Sequence, residues 1–259
     1  MAKEEAHPPA AVAHAWRTDP RLRPNLHLDW QAVADAALAV VECAACKRFA
    51  TGGCSQPFWV GTGFVPGNPV LLLQNPGCSP LEEEAEDYLA TFRQQRSVEA
   101  FLDWSVWRCA DTTATWTQWP PLERALGGLF APYEVAWLNV SPFPTAGNED
   151  PSKLPDPDAP PPWRRRFPSQ SDHGRNVHLR SLLLEVLRPG AVVTRFKSAQ
   201  DELEVLQRWL VDRGISMPWP TEPMLNVPNI SRNQWDGASA DRVATALAAR
   251  YPERAVNRR

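Results

Sequence analysis

The chain has 259 residues, a formal net charge of −3 and a sequence pI near 6.0, which excludes a protein that coats nucleic acid through bulk positive charge. Its hydrophobic content of 43% is enough for a sizeable core, while no apolar run approaches the ~20 residues of a membrane span. The first residues lack the apolar segment of a secretory signal. We therefore expect a cytoplasmic globular protein without a membrane partner.

Residues 1–28 are rich in proline, alanine and histidine without a helical or strand period, which predicts a flexible N-terminal arm. Asp29 is a good N-cap, and apolar residues at helical spacing follow it, so a helix is expected up to Cys43. Glycine-rich irregular chain then leads to about residue 68. We expect one domain over residues 29–252, with a helical lead-in at 29–66 and a C-terminal tail at 253–259.

The cysteines lie at positions 43, 46, 54, 78 and 109. An odd number without an export signal argues against a disulfide framework. Cys43, Cys46 and Cys54 have the spacing of part of a metal or iron–sulfur site, but no fourth ligand lies near them in the sequence. We therefore expect no cofactor, and keep zinc or an iron–sulfur cluster on these three thiols as the less favoured alternative.

Four short apolar runs predict buried strands at residues 70–73, 135–140, 191–196 and 224–227. Helical spacing separates them at residues 80–111, 121–129, 176–187 and 198–212, and returns from residue 238. Connections of this length favour parallel pairing of the strands. The sequence thus predicts an α/β fold, a three-layer α/β/α sandwich around a four-stranded, mainly parallel sheet.

Polar residues lie near or directly after the ends of three of the four apolar runs. Gln74 and Asn75 come directly after the first run, Asn139 lies in the second, and Asn226 lies in the fourth. The carboxyl ends of parallel strands meet at one edge of a sheet, where open α/β sheets bind their ligands. We therefore expect these side chains to converge in a site.

Three stretches read together resemble motifs of the uracil-DNA glycosylase superfamily, and are most similar to its mismatch-specific uracil and thymine branch. Residues 74–77, Gln-Asn-Pro-Gly, are similar to the water-activating motif; residues 138–144 are similar to the base-reading segment; and residues 226–232 are similar to the wedge motif. The three occur in the family's order across residues 40–250. The resemblance implies the fold of that superfamily and the excision of uracil or a related damaged pyrimidine from DNA.

The resemblance also implies roles for individual residues. Asn75 would hold the attacking water, with Gln74 and Asn226 beside it, and the backbone N–H groups of Gln74 and Gly77 would cradle the base. Asn139 would read the base, because its amide offers a donor and an acceptor that match the O4 and N3–H edge of uracil. An aromatic ring from the helix after the first motif would stack on the flipped base, and the two candidates are Tyr88 and Phe92.

The expected partner is DNA that contains a damaged or modified base, bound by a monomer. Ile230 would enter the gap left in the duplex, and Arg232 would contact phosphate or the unpaired base. Asn229 and Ser231 belong to the same turn, and a phosphate-binding patch is expected at Arg164, Arg165 and Arg166.

Departures from the family motifs keep two alternatives open. Pro228 stands where the wedge motif usually has serine, and Arg195 lies where the third strand usually ends in glycine. These differences favour a catalytically weak or inactive member of the fold, which binds modified nucleic acid or a protein partner. The second alternative is an unrelated α/β enzyme that acts on a small nucleotide or ester. The sequence contains no nucleophile elbow, Walker loop or dinucleotide fingerprint that would support it.

Overall fold

The computed structural model of the chain describes one sheet and the helices around it, over residues 10–43, 56–73, 82–116, 119–139, 182–194, 197–212, 214–215, 225–226 and 237–256. The strands are β1 Trp59–Val60, β2 Pro69–Leu73, β3 Ala136–Asn139, β4 Ala191–Thr194 and β5 Leu225–Asn226. They form one sheet in the order β1-β3-β2-β4-β5.

β2 pairs in parallel with β3 and with β4, and β4 pairs in parallel with β5. The predicted α/β architecture with an open, mostly parallel sheet is therefore confirmed, and each of the four predicted apolar runs contains a strand. β1, which pairs antiparallel with β3, is an additional strand. The sequence does not predict β1, because two residues among glycines are too few to show a strand period.

Alternate residues of the central strand point into two separate cores. Val70 and Leu72 pack in one core with Leu138 of β3, while Leu71 and Leu73 pack in the other core. This alternation follows from the pleat of the strand. Because both faces of the sheet are covered, all five residues of β2 are buried and the run is apolar throughout.

Helices cover both faces of the sheet. In chain order they are α1 Trp30–Glu42, α2 Glu82–Gln95, α3 Val98–Thr115, α4 Trp119–Ala125, α5 Lys197–Val211, α6 Gly237–Arg250 and α7 Pro252–Val256. The Val70 side is covered by α1, α2, α3, α5 and a π-helical turn, Leu182–Leu187. The Leu71 side is covered by α4 and α6.

The helix boundaries refine two predictions. Asp29 caps α1 as expected, since its carboxylate accepts a hydrogen bond from the Ala32 backbone N–H at 3.0 Å. The helix predicted over residues 80–111 is two helices, because Arg96 has a φ of 51° and Ser97 caps α3. A positive φ ends a helix, and the Ser97 hydroxyl accepts from the Ala100 N–H at the start of the next one.

Residues 10–28 do not form a loose arm. Three 3₁₀ turns, Ala10–Val12, Ala15–Arg17 and Pro20–Leu22, open this segment. Asp103 of α3 accepts a hydrogen bond from Trp16 Nε1 at 2.7 Å and pairs with Arg17 Nη2 at 2.9 Å and His14 Nδ1 at 2.9 Å. The prediction of a flexible arm is therefore wrong for these residues, because contacts so distant in sequence leave no local pattern.

Polar contacts tie the amino end of the sheet together. The Tyr251 hydroxyl donates to the carbonyl of Gly67 at 2.8 Å, and Arg254 of α7 pairs with Glu134 at 3.0 Å. The amide Nδ2 of Asn68, just before β2, donates to the backbone carbonyl of Glu134 at 2.9 Å. The predicted C-terminal tail therefore contains a helix that is packed against the domain.

No helix within the described residue ranges is both long and apolar enough to cross a membrane.

Candidate functional site

β2, β3 and β4 end side by side at the carboxyl edge of the sheet. Leu73 of β2 pairs with Asn139 of β3, and Leu72 pairs with Thr194 of β4. β2 and β4 are neighbours, yet the chain continues from β2 to β3 on one side and from β4 to β5 on the other. Such a topological switch point opens a crevice at the carboxyl ends of the strands, where open α/β sheets bind ligands.

Asn139 is the last residue of β3, and it is a predicted base-reading residue that lies at this edge. The pairing of β3 with β2 fixes its backbone. Its Nδ2 and Oδ1 atoms are both buried, and neither has a hydrogen-bond partner among the described residues. A buried polar group without a partner costs about 1–3 kcal/mol. A ligand that offers one acceptor and one donor to Asn139 would remove this cost.

Thr194 is a second unpartnered group at the same edge. Thr194 ends β4 beside β2 and is fully buried. Its hydroxyl has no hydrogen-bond partner within the described part of the chain. Thr194 lies in the apolar run at residues 191–196 and has no predicted role. The signal that identifies it is a polar residue at the carboxyl end of an otherwise apolar strand.

Gln56 approaches the sheet from the same end. Because β1 is antiparallel to β3, the chain enters β1 from the side on which β3 ends. Gln56 precedes Trp59 by three positions, is only 2% exposed, and its Oε1 atom has no partner among residues with a described position. It lies in the stretch predicted as irregular chain and has no predicted role, because its burial depends on contacts that are distant in sequence.

Asn226 lies at the same carboxyl edge of the sheet. It ends β5, and its backbone pairs with Thr194. β2 and β4 separate β5 from β3, so the ends of β3 and β5 are three strand spacings apart, about 14 Å. The convergence of Asn226 with Gln74, Asn75 and Asn139 stays a prediction.

The two predicted stacking residues lie in different surroundings. Phe92 is fully buried in the core and packs against Phe101, with ring centroids 5.6 Å apart. Its ring belongs to the core on the Val70 side of the sheet, and its stacking role stays a prediction. Tyr88 is half-buried beside Trp107 at a centroid distance of 5.1 Å. Burial is the main cause that raises the pKa of the Tyr88 phenol, with the Asp103 carboxylate as the next cause.

Several predicted site residues lie outside the described residues. They are Gln74, Asn75 and Gly77 of the first motif, the arginines 164–166 of the expected phosphate patch, and Asn229, Ile230, Ser231 and Arg232 of the wedge motif. Their roles stay predictions. Asn75 follows Leu73 by two positions in the sequence.

The cysteines give no metal site in the described ranges. Cys43 is half-buried directly after α1, whereas Cys46 and Cys54 lie outside the described residues. No group of three or more His, Cys, Asp or Glu side chains that could hold a metal occurs among the residues with a described position. Burial raises the pKa of the Cys109 thiol to about 12, so Cys109 is a neutral core residue.

Comparison with protein-family models, with curated proteins and with solved structures finds no match to this chain.

Proposed function

We propose that the chain is a DNA glycosylase with the uracil-DNA glycosylase fold, which hydrolyses the bond between deoxyribose and uracil or a related damaged pyrimidine. The observation that carries the proposal is the buried amide of Asn139, since neither of its polar atoms has a hydrogen-bond partner among the described residues. An amide that presents a donor and an acceptor side by side complements the O4 and N3–H edge of uracil and mismatches cytosine. The three motifs in family order support the same function.

The neighbouring strand end supports the role of Asn75. Asn139 pairs with Leu73, and the Gln74-Asn75-Pro76-Gly77 motif begins directly after Leu73. A base read by Asn139 would therefore lie next to the start of the motif that carries Asn75. Enzymes that act on a base within DNA rotate the nucleotide out of the stack into such a pocket.

The reaction needs a water and a stabilised leaving group. The water oxygen attacks C1′ of the sugar while the bond between C1′ and N1 breaks, and the electron pair of that bond stays on the departing base. The water gives its proton to solvent or to the base, which leaves an abasic site and free uracil. Asn75 orients the water but cannot accept its proton as a carboxylate would, so we expect a slow enzyme that depends on stabilising the base anion.

Other parts of the chain fit this proposal. Tyr88 lies on α2, the first helix after β2, and its partly exposed ring is a stacking candidate. Ile230 and Arg232 would fill the gap in the duplex, and residues 164–166 would contact phosphate. The catalytic step itself needs no metal in this proposal.

The proposal is tested with the purified full chain and oligonucleotides that carry uracil, hypoxanthine, a thymine mismatch or hydroxymethyluracil. We expect base release from at least the uracil substrate, and a loss of about 100-fold or more for Asn75→Ala, since a positioned water-activating group contributes ~10²-fold or more. Asn139→Asp should change the ratio of uracil to cytosine release, because a carboxylate loses the amide donor.

Asn25→Asp is the matched control for Asn139→Asp. Asn25 lies near the amino end of the sheet, where its backbone N–H donates to Thr62, and its side-chain oxygen accepts from His27 at 2.8 Å. A carboxylate keeps that acceptor, so this variant should behave as the wild type. Unchanged turnover in Asn75→Ala would contradict the role of Asn75. Tight binding of uracil DNA without base release would identify the non-catalytic alternative instead.

A further inference from the structure

We propose that the hydroxyl of Thr194 donates a hydrogen bond to O2 of the bound pyrimidine and stabilises the base as it departs; this contact rests on the function proposed above. Thr194 is fully buried, its hydroxyl has no partner among the described residues, and it ends β4 at the switch point of the sheet. Valine has nearly the same shape as threonine but carries a methyl group in place of the hydroxyl. A threonine at this position therefore costs stability that the fold alone does not recover.

Thr194 and Asn139 flank the end of β2 on opposite sides. Their strands, β4 and β3, are the two neighbours of β2, so their backbones are about 10 Å apart. Asn139 is in register with Leu73, and Thr194 is in register with Leu72. The offset of one residue directs Thr194 to the face covered by α5 and Asn139 to the face covered by α4 and α6. Asn139 and Thr194 therefore border the end of β2 from opposite faces of the sheet.

The polarity of a pyrimidine matches this arrangement. Once Asn139 takes O4 and N3–H of uracil, the remaining polar atom of the ring edge is O2, which only accepts hydrogen bonds. O2 is therefore the atom that remains for the Thr194 donor.

The contact would matter most in the transition state. The electron pair left on the base is shared by N1 and its two carbonyl oxygens, so O2 becomes a stronger acceptor as the bond breaks. A donor placed before the reaction then stabilises the transition state more than the bound substrate. Thr194 would therefore affect the rate of the chemical step more than the affinity for DNA.

Thr62 offers a matched control for Thr194. Thr62 is 1% exposed, and its hydroxyl is also buried without a hydrogen-bond partner in the described ranges. It lies at the opposite end of the sheet, two residues after Val60, which pairs with the first residue of β3. Thr62→Val and Thr194→Val both remove an unpaired buried hydroxyl, and each should raise the melting temperature by about 2–4 °C.

The experiment measures single-turnover release of uracil and of 2-thiouracil from DNA by the full chain and its variants. We expect Thr194→Val to lose about 10-fold or more on uracil, Thr62→Val to match the wild type, and Thr194→Ser, which keeps the hydroxyl, to remain within about 3-fold of it. Sulfur is a poor acceptor, so the loss in Thr194→Val should shrink on 2-thiouracil. DNA affinity should change less than the rate.

The outcomes separate this contact from the function on which it rests. If the wild type releases uracil and Thr194→Val is as fast as Thr62→Val, the contact is overturned while the glycosylase function stands. An equal loss on both bases overturns the assignment to O2, and a loss in Thr194→Ser as large as in Thr194→Val assigns the effect to packing. If the wild type neither releases nor binds uracil in DNA, the proposed function fails and the contact fails with it.

Discussion

Asn68 and Asn139 lie at opposite ends of the same sheet, and both carry buried side-chain amide atoms. Asn68 precedes β2, where its Nδ2 donates to the Glu134 carbonyl at 2.9 Å and its Oδ1 lies 3.5 Å from Arg254 Nη2. Asn139 ends β3 and has no partner for either amide atom in the described part of the chain. The amide of Asn68 is thus paired within the protein, whereas the proposed function gives the amide of Asn139 a ligand as its partner.

The two ends of the sheet differ in whether their buried polar groups stabilise the fold. At the amino end, Asn68, Glu134 and Arg254 hydrogen-bond one another, and Tyr251 donates to the carbonyl of Gly67; the hydroxyl of Thr62 has no partner among the described residues. Groups that pair in this way stabilise the protein, so their removal should destabilise it. A buried group without a partner costs stability, and we infer a functional role only where such a group also lies at the carboxyl edge of the sheet, as Asn139 and Thr194 do. Substitution of a paired group at the amino end should therefore lower the free energy of unfolding, whereas substitution of an unpaired group at the carboxyl end should raise it.

The largest effect on stability is expected at the amino end from Gly190→Ala. A Cβ atom at Gly190 would overlap the carbonyl oxygen of Gly67 and lie 2.7 Å from the Tyr251 hydroxyl. The backbone before β2 and β4 must move apart to admit it, which we expect to cost about 3 kcal/mol. Urea denaturation measures this loss, and an unchanged midpoint would contradict the tight approach. The rate of base release per folded molecule should not change.

A smaller loss is expected from Asn68→Leu. It leaves the backbone carbonyl of Glu134, a half-buried residue, without the Asn68 donor and should lower the free energy of unfolding by about 2 kcal/mol. Denaturant midpoints measure the change. Base release at a temperature where the variant is folded should equal that of the wild type, since Asn68 lies at the end of the sheet opposite the site.

Asn139→Leu is the matched substitution at the other end and should have the opposite sign. Leucine has a similar size and no polar atoms to leave unpaired, so we expect the free energy of unfolding to rise by about 1 kcal/mol. The same variant should lose base release entirely. A destabilised Asn139→Leu would show that this amide serves the fold, and the distinction between the two ends would be lost.

The smallest effect concerns alkaline pH. Burial is the main cause that raises the pKa of the Tyr251 phenol, and the neutral phenol is the form that donates to Gly67 at 2.8 Å. Since the folded-state pKa of Tyr251 is above its ordinary value, the stability that this hydrogen bond contributes is complete below about pH 10. It is lost as the pH rises through the folded-state pKa. Tyr251→Phe should cost about 1 kcal/mol at neutral pH and weaken the alkaline loss. Midpoints of both proteins across this range provide the test; parallel curves would contradict it.

The central part of the fold could be predicted because its signal is local. Val70 and Leu73 bound an apolar run that is buried on both sides, and the same rule finds β3, β4 and β5. β1 has only two residues, and it is a strand because β3 lies beside it. The break at Arg96 depends on its positive φ, which arginine gives no reason to expect.

The candidate site could be predicted only in part. Asn139 was identifiable because an asparagine at a strand end is visible in the sequence. Thr194 and Gln56 are significant because they are buried without partners in the part of the chain that the structure describes, and no local pattern reports a missing partner. The separation of Asn139 and Asn226 depends on strand order, which tertiary packing decides and which places β2 and β4 between their strands.

The contacts of Asp103 have a consequence for how the chain folds during synthesis. Trp16 and Arg17 bind a carboxylate that lies 87 and 86 positions later in the chain. Until α3 has left the ribosome, these early residues have no Asp103 to bind, and closing so long a loop costs entropy before the contact forms. The first turns to be made should therefore be among the last to dock, once the helix that receives them is in place.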